Sequence, residues 1–81
     1  MREQKIKQDR ICIGANIRRL RKAAGLGQTE LANRMQLEGV DTTREALVKI
    51  ERGLQHISAS QLRAIRDILH TSYEELLKEA P

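Results

Sequence analysis

Aromatic side chains are almost missing from this chain: Tyr73 stands alone, with no phenylalanine or tryptophan among 81 residues. The core must therefore be aliphatic, built from Leu, Ile, Val, Ala and Met. Such a set suits close packing of short helices better than a sandwich of aromatic-rich strands. Cysteine is as scarce. Cys12 has no second cysteine to pair with, which excludes an intramolecular disulfide, leaves no resolving thiol for a redox sensor, and makes a reducing interior the natural home. No apolar run nears membrane-spanning length, and the first residues lack the apolar stretch of a secretory signal. A soluble, cytoplasmic protein without a membrane partner is expected.

Catalytic and metal chemistry are absent too. His56 and His70 lie apart, without ligand partners at metal spacing, so no zinc site is expected. Gly25-Leu26-Gly27 lacks the strand and the remaining spacing of a phosphate-binding loop. No nucleophile stands beside a plausible base, and the carboxylates are scattered. The chain reads as a non-enzyme that needs no cofactor and no metal.

What is present is charge, unevenly placed. Residues 1–27 carry eight Lys or Arg against Glu3 and Asp9, a balance of +6, within a chain whose net charge is +4. Residues 67–81 set Lys78 against Asp67, Glu74, Glu75 and Glu79, a balance of −3. A basic front and an acidic tail suit a polyanion on one side and a protein neighbour on the other, although unevenly charged solvated surface would look the same. Eighty-one residues make one domain near the lower size limit for a self-supporting core, so dimerisation is a reasonable way to add buried area.

Along the chain, residues 1–8 read as a basic N-terminal arm and residues 9–81 as one domain. Asp9 is placed to cap a first helix whose apolar positions are Ile13, Ile17, Leu20 and Ala24, with Arg18, Arg19, Arg21 and Lys22 around them. Gly25 ends it. Gly27 opens a second helix with Leu31, Ala32 and Met35 inward. Gly39 and Asp41 mark a break. Thr42 with Glu45 fits a capping box for a third helix, though Thr43 serves equally as the cap; Leu47 and Ile50 are its buried side, and Gly53 ends it. Ser58 with Gln61 opens a fourth helix containing Leu62, Ile65, Ile68 and Leu69. Ser72 with Glu75 opens a short fifth, with Tyr73, Leu76 and Leu77. Three cap signals in register with the apolar spacing predict five helices.

In order, Ile13-Gly14, Ile17-Arg18, Leu20-Arg21, Gly25-Leu26, Gln28, Glu30-Leu31-Ala32, Arg34, Ile50-Glu51-Arg52-Gly53, Ser58, Leu62 and Ser72 with Glu75-Leu76-Leu77 resemble the lambda-repressor and Cro (Xre-like) helix-turn-helix family from Ile13 to Leu77. The resemblance implies an all-α, five-helix lambda-repressor-like domain that crosses the DNA backbone with its second helix and lays its third in the major groove. It implies that Gln28 donates to a phosphate, with Thr29 beside it, and that Thr43, Arg44 and Glu45 read bases, with Lys49 one turn on. Residue chemistry agrees: Arg44 and Lys49 suit guanine O6 and N7, Glu45 the cytosine amino group, and Val48 a thymine methyl. Glu45 is equally placed to close the capping box with Thr42. His56, just after that helix, is a further candidate phosphate contact. The family also pairs an arginine of its first helix with a glutamate late in its third, which implies a structural ion pair between Arg21 and Glu51.

Two positions depart from the pattern. Seven residues, 36–42, separate Met35 from Thr43 where about two are usual, so the connection between helices 2 and 3 is lengthened. The simplest accommodation extends helix 2 to about Gln36 or Glu38 and tucks Leu37 and Val40 onto the core. His70 stands where the family often has glycine at a helix end, a geometry histidine tolerates less well.

The resulting expectation is a transcriptional regulator, a repressor by preference, that binds double-stranded DNA as a homodimer on a near-palindromic operator. Tyr73, Leu76 and Leu77 are the candidate dimer contacts, unless they pack onto the chain's own core. The rivals are an antitoxin that also masks a toxin, or a protein-interaction module that keeps the fold without DNA; either would bring a protein partner, a toxin or a co-regulator.

Overall fold

Residues 5–6 and 11–79 are described by the computed structural model. Five helices carry the chain: α1 (Ile13–Ala23), α2 (Gln28–Leu37), α3 (Arg44–Glu51), α4 (Ala59–Ile68) and α5 (Tyr73–Leu76). They are joined by one short antiparallel ladder that the sequence does not announce. In it, β1 (Lys5–Ile6) pairs with β2 (Ile57–Ser58), in the register Lys5 to Ser58 and Ile6 to Ile57. Part of the segment expected to be a loose arm is therefore fixed beside the entrance to α4. Among the described residues, one further bridge pairs Ile11, just before α1, with Glu79, just after α5.

The core is aliphatic, as the missing aromatics require. Ile13 and Ile17 of α1, Leu31 and Met35 of α2, Leu47 and Ile50 of α3, Ile57, Ile65 of α4 and Leu76 of α5 are all fully buried. Leu20, Ile68 and Leu77 pack against this cluster from its edge. Ala24, expected on the apolar stripe of α1, is instead its exposed C-cap.

Helix starts follow the cap chemistry at α3, α4 and α5, and α1 differs. Ser58 Oγ accepts from the Gln61 N–H while Gln61 Oε1 accepts from the Ser58 N–H, a complete capping box at α4. Ser72 Oγ accepts from the Glu75 N–H at α5. At α3 the cap is Thr43, whose Oγ1 accepts from the Ala46 N–H at 3.0 Å. Thr42 is buried and serves elsewhere, so the Thr42–Glu45 box does not form. At α1 the N-cap is Cys12, which makes no side-chain cap bond; Asp9 lies outside the described residues. A start without a side-chain cap is tolerable here because Ile13 and Ile17 hold α1 by burial, which outweighs a cap worth about 1 kcal/mol.

Four helices end in the same way, with a left-handed residue whose N–H bonds back to a carbonyl three residues earlier. At α2 this residue is Gly39 (φ 81°): its N–H donates to the Gln36 carbonyl, and the next N–H, of Val40, reaches the Met35 carbonyl. The lengthened connection therefore begins with a sharp stop and is then pinned. Val40 packs on the core, the Thr42 carbonyl accepts from Gln36 Nε2 at 3.0 Å, and Thr42 Oγ1 accepts from Gln61 Nε2 at 3.2 Å. Leu37, expected to tuck inward with Val40, instead stands 87% exposed. Met35 is buried and Val40 packs on the core, while Leu37, the last residue of α2, faces solvent.

At α4 the left-handed position is filled by His70 (φ 52°), and its N–H bond to the Asp67 carbonyl is long, 3.4 Å, against 2.9 and 3.0 Å at Gly39 and Gly53. Its side chain makes no hydrogen bond among the described residues. Glycine adopts this conformation without the Cβ penalty. His70→Gly is accordingly expected to raise stability by about 0.5–1 kcal/mol, the relief of strain exceeding the extra entropy of the unfolded chain. Thermal denaturation checks this; a lower midpoint would show the histidine to be stabilising.

Candidate nucleic-acid interface

The geometry of α3 follows from which of its residues the core takes. Leu47 and Ile50 face inward, and Glu51 joins them as a buried carboxylate. That leaves Arg44, Glu45 and Lys49 exposed on the opposite side, with Val48 half-buried at the margin. Because Thr43 rather than Thr42 forms the cap, Glu45 is released from any box and makes no hydrogen bond or ion pair among the described residues. Thr43 is exposed, but its hydroxyl oxygen is occupied as the cap acceptor. Of the expected base-reading residues, Arg44, Glu45 and Lys49 are thus exposed along α3, Thr43 is exposed at its cap, and Val48 is half-buried beside them.

Beneath them lies the ion pair. Arg21 Nε donates to Glu51 Oε2 at 2.7 Å and Arg21 Nη2 to Glu51 Oε1 at 3.0 Å, a two-pronged pairing. The side chains are only 8% and 2% exposed. Arg21 Nη1 also donates to the Leu26 carbonyl at 2.8 Å. The hydrogen bond to Glu51 raises the guanidinium pKa above its ordinary value, outweighing the lowering that burial alone would cause. Arg21 therefore remains charged and ties α1 to α3.

Gln28, the first residue of α2, adds a third partner. Its Nε2 donates to Glu51 Oε1 at 3.0 Å. One carboxylate thus joins α1, α2 and α3. A primary amide carries two N–H donors, so one of Gln28's hydrogens is taken by Glu51 and the other is left for a second acceptor. Thr29 and His56 are both exposed, on α2 and just before β2.

The candidate dimer residues separate. Leu76 is fully buried in the chain's own core, so it is not a surface contact, while Leu77 is half-buried against that core. Tyr73 remains 37% exposed, with the Arg66 guanidinium 4.5 Å above its ring. The short helix that carries them is held on α1. Asn16 Nδ2 donates to the Leu76 and Lys78 carbonyls at 2.9 and 2.8 Å, and Arg19 pairs with Glu75 at 3.5 Å.

Gly14 enters the sequence reading only as part of the family resemblance, with no role assigned to it. A Cβ at this position would collide with the carbonyl oxygen of Ile50 and stand 2.7 Å from that of Glu51. α1 can therefore rest directly on the end of α3 only because residue 14 is glycine. A glycine inside an amphipathic helix costs about 1 kcal/mol relative to alanine, which is the signal that marks such a contact.

No helix among the described residues is long and apolar enough to cross a membrane. The sequence profile of the helix-turn-helix domain family matches residues 13–79, and the chain belongs to that family. Solved structures agree. The clp gene regulator ClgR from Corynebacterium glutamicum superposes with a TM-score of 0.73 at 26% identity, over 84% of this chain and 67% of that one. A second ClgR structure gives 0.72 at 26% identity, over 84% and 81%. The hypothetical transcription factor NHTF from Neisseria gives 0.71 at 26% identity, over 98% of this chain and 85% of its own. No curated protein matches. The all-α, five-helix arrangement inferred from the sequence is thus the fold found, a helix-turn-helix domain of the kind carried by transcription regulators, with α2 and α3 as its two defining helices.

Proposed function

We propose that the protein is a sequence-specific DNA-binding transcription regulator, and that it acts as a repressor by occupying a near-palindromic operator as a homodimer. The observation that carries this is the uncovered edge of α3: Arg44, Glu45 and Lys49 are exposed together, and no partner among the described residues occupies any of them. Arg44 and Lys49 present donors to guanine acceptors and Glu45 an acceptor to the cytosine amino group, while Thr43 and Val48 flank them for apolar contact. Gln28, Thr29 and His56 hold the backbone and fix register without reading sequence. A single half-site limits affinity, and two-fold pairing of the domain would match a pseudo-palindrome. Tyr73 is the exposed residue on which that pairing is placed.

Selection of bound duplexes from random DNA tests the reading, and an enriched motif is the expected outcome. Arg44→Ala should cost about 1–3 kcal/mol of affinity and relax preference at one base position. A motif identical in variant and parent would remove Arg44 from the base-reading set, and enrichment of no motif would defeat sequence-specific binding itself.

A further inference from the structure

The Gly14 contact and the hydrogen bonds of Glu51 to Arg21 and Gln28 hold α3 by its C-terminal end. Arg44 and Glu45 stand at the other end, in the first turn. Leu47 buries the middle of the helix, but apolar burial is non-directional. A rod gripped at its rear is fixed in position more than in direction, so the front needs an anchor of its own. Thr42, the residue before the cap, meets that need. It is polar yet only 1% exposed. Its carbonyl accepts from Gln36 Nε2 of α2 at 3.0 Å, and its Oγ1 accepts from Gln61 Nε2 of α4 at 3.2 Å. Gln61 has no freedom to turn its amide over, because its Oε1 accepts from the Ser58 N–H at 2.9 Å and closes the capping box of α4. Only the nitrogen of that amide can face residue 42, so residue 42 must offer an acceptor. An apolar side chain of the same shape would strand a buried donor.

We propose that Thr42 is a positioning residue for base recognition: its hydroxyl, held from α4, and its carbonyl, held from α2, fix the direction in which α3 leaves the lengthened connection. Thr43 follows directly, and its Oγ1 accepts from the Ala46 N–H, so any shift of residue 42 passes to the cap and the first turn. Arg44 and Glu45 move with that turn. Groups that recognise a partner by hydrogen bonds must be held to about 0.5 Å by the bonds that support them. This rests on the DNA-binding reading above and adds to it a buried residue that acts only through its neighbours. It also gives the lengthened connection a purpose, since its last buried residue is the one that reaches both α2 and α4.

The test compares Thr42→Val, Thr42→Ser and Gln36→Ala in the full chain, at a temperature where circular dichroism shows each folded. Valine keeps the branched shape without the acceptor, and serine keeps the acceptor without the methyl. Gln36 is an exposed helix position where alanine preserves the fold. Ile65→Val, a core change in α4, is the control for lost stability alone. In selection from random duplexes, Thr42→Val should lower discrimination at the base position that Arg44→Ala relaxes by roughly five- to ten-fold, and Gln36→Ala by less. The salt dependence of affinity should stay parental, because no phosphate contact is removed. Thr42→Ser and Ile65→Val should keep the parental preference. Without DNA, hydrogen exchange at the Ala46 amide should quicken roughly ten-fold in Thr42→Val and stay parental in Thr42→Ser and the control. Parental preference in both Thr42→Val and Gln36→Ala overturns the proposal, as does an equal loss in Ile65→Val. If Thr42→Val does not fold, Gln36→Ala decides alone. A parent that enriches no motif defeats the function proposed above; exchange at Ala46 then still decides whether Thr42 anchors α3, faster exchange in Thr42→Val supporting it and parental exchange overturning it.

Discussion

Gly14→Ala should lower the melting temperature by roughly 10–20 °C. Two effects compete. Alanine is worth up to about 1 kcal/mol over glycine in a helix, less in the first turn where Gly14 stands, so on an exposed face this change would stabilise. Here the added methyl would meet the Ile50 and Glu51 carbonyl oxygens, which are backbone atoms at the end of α3 and cannot rotate aside. Overpacking costs about 1–3 kcal/mol where side chains can shift, and more where they cannot. The net loss is then about 2–3 kcal/mol, and each kcal/mol moves the midpoint of a domain this size by about 4–8 °C. The alternative to unfolding is that α1 lifts from α3, which would strain the Arg21–Glu51 pair and turn the exposed edge of α3 relative to Gln28. DNA affinity should therefore fall even at temperatures where the variant is folded. Thermal denaturation decides: a midpoint equal to the parent's, or above it, would mean that the two helices do not touch at residue 14.

Gly14 also shows what kind of information the sequence carried openly. Features set by near neighbours along the chain were legible. The Ser58–Gln61 box, the stop at Gly39 and the aliphatic faces of α2 and α3 each depend on a few adjacent residues, and each is present in the structure. The Arg21–Glu51 pair joins residues 30 positions apart, and only the family resemblance linked them beforehand. What was misread depends on where space remains once the helices have packed. Leu37 and Val40 have equal claims to burial by composition, yet Val40 packs on the core and Leu37 does not. Thr42 and Thr43 are both able to cap α3; the choice falls to Thr43 because Gln36 and Gln61 take the carbonyl and hydroxyl of Thr42. Leu76 resembled a spare apolar residue in an acidic tail until Asn16 held α5 onto α1. The cationic face of α1 was ambiguous for the same reason: charge pairing is decided across helices, and only the fold separates Arg19, which has Glu75, from Arg18, which has no such partner among the described residues.

Glu51→Ala should be the most damaging single change at the interface, costing about 3–5 kcal/mol. The loss exceeds that of the pair's own attraction, because the variant leaves the Arg21 guanidinium buried without its counter-charge. The Gln28 amide loses its acceptor in the same step, so the α1, α2 and α3 contacts weaken together. A comparison with Arg21→Met/Glu51→Leu separates attraction from desolvation. With both charges gone nothing is stranded, and apolar side chains of similar size fill the site, so the double variant should be more stable than Glu51→Ala. Urea denaturation of Arg21→Met, Glu51→Leu and their double gives the coupling, expected at about 2–3 kcal/mol for groups in direct contact. Equal stability of Glu51→Ala and the parent, or strict additivity of the singles, would show that the carboxylate does not hold the helices together. The double variant carries a further consequence. Gln28 in it has no Glu51 to orient its amide, so a domain restored in stability should still bind its duplex more weakly than the parent. That separation of folding from binding distinguishes a carboxylate that positions the DNA-facing amide from one that merely fills the core.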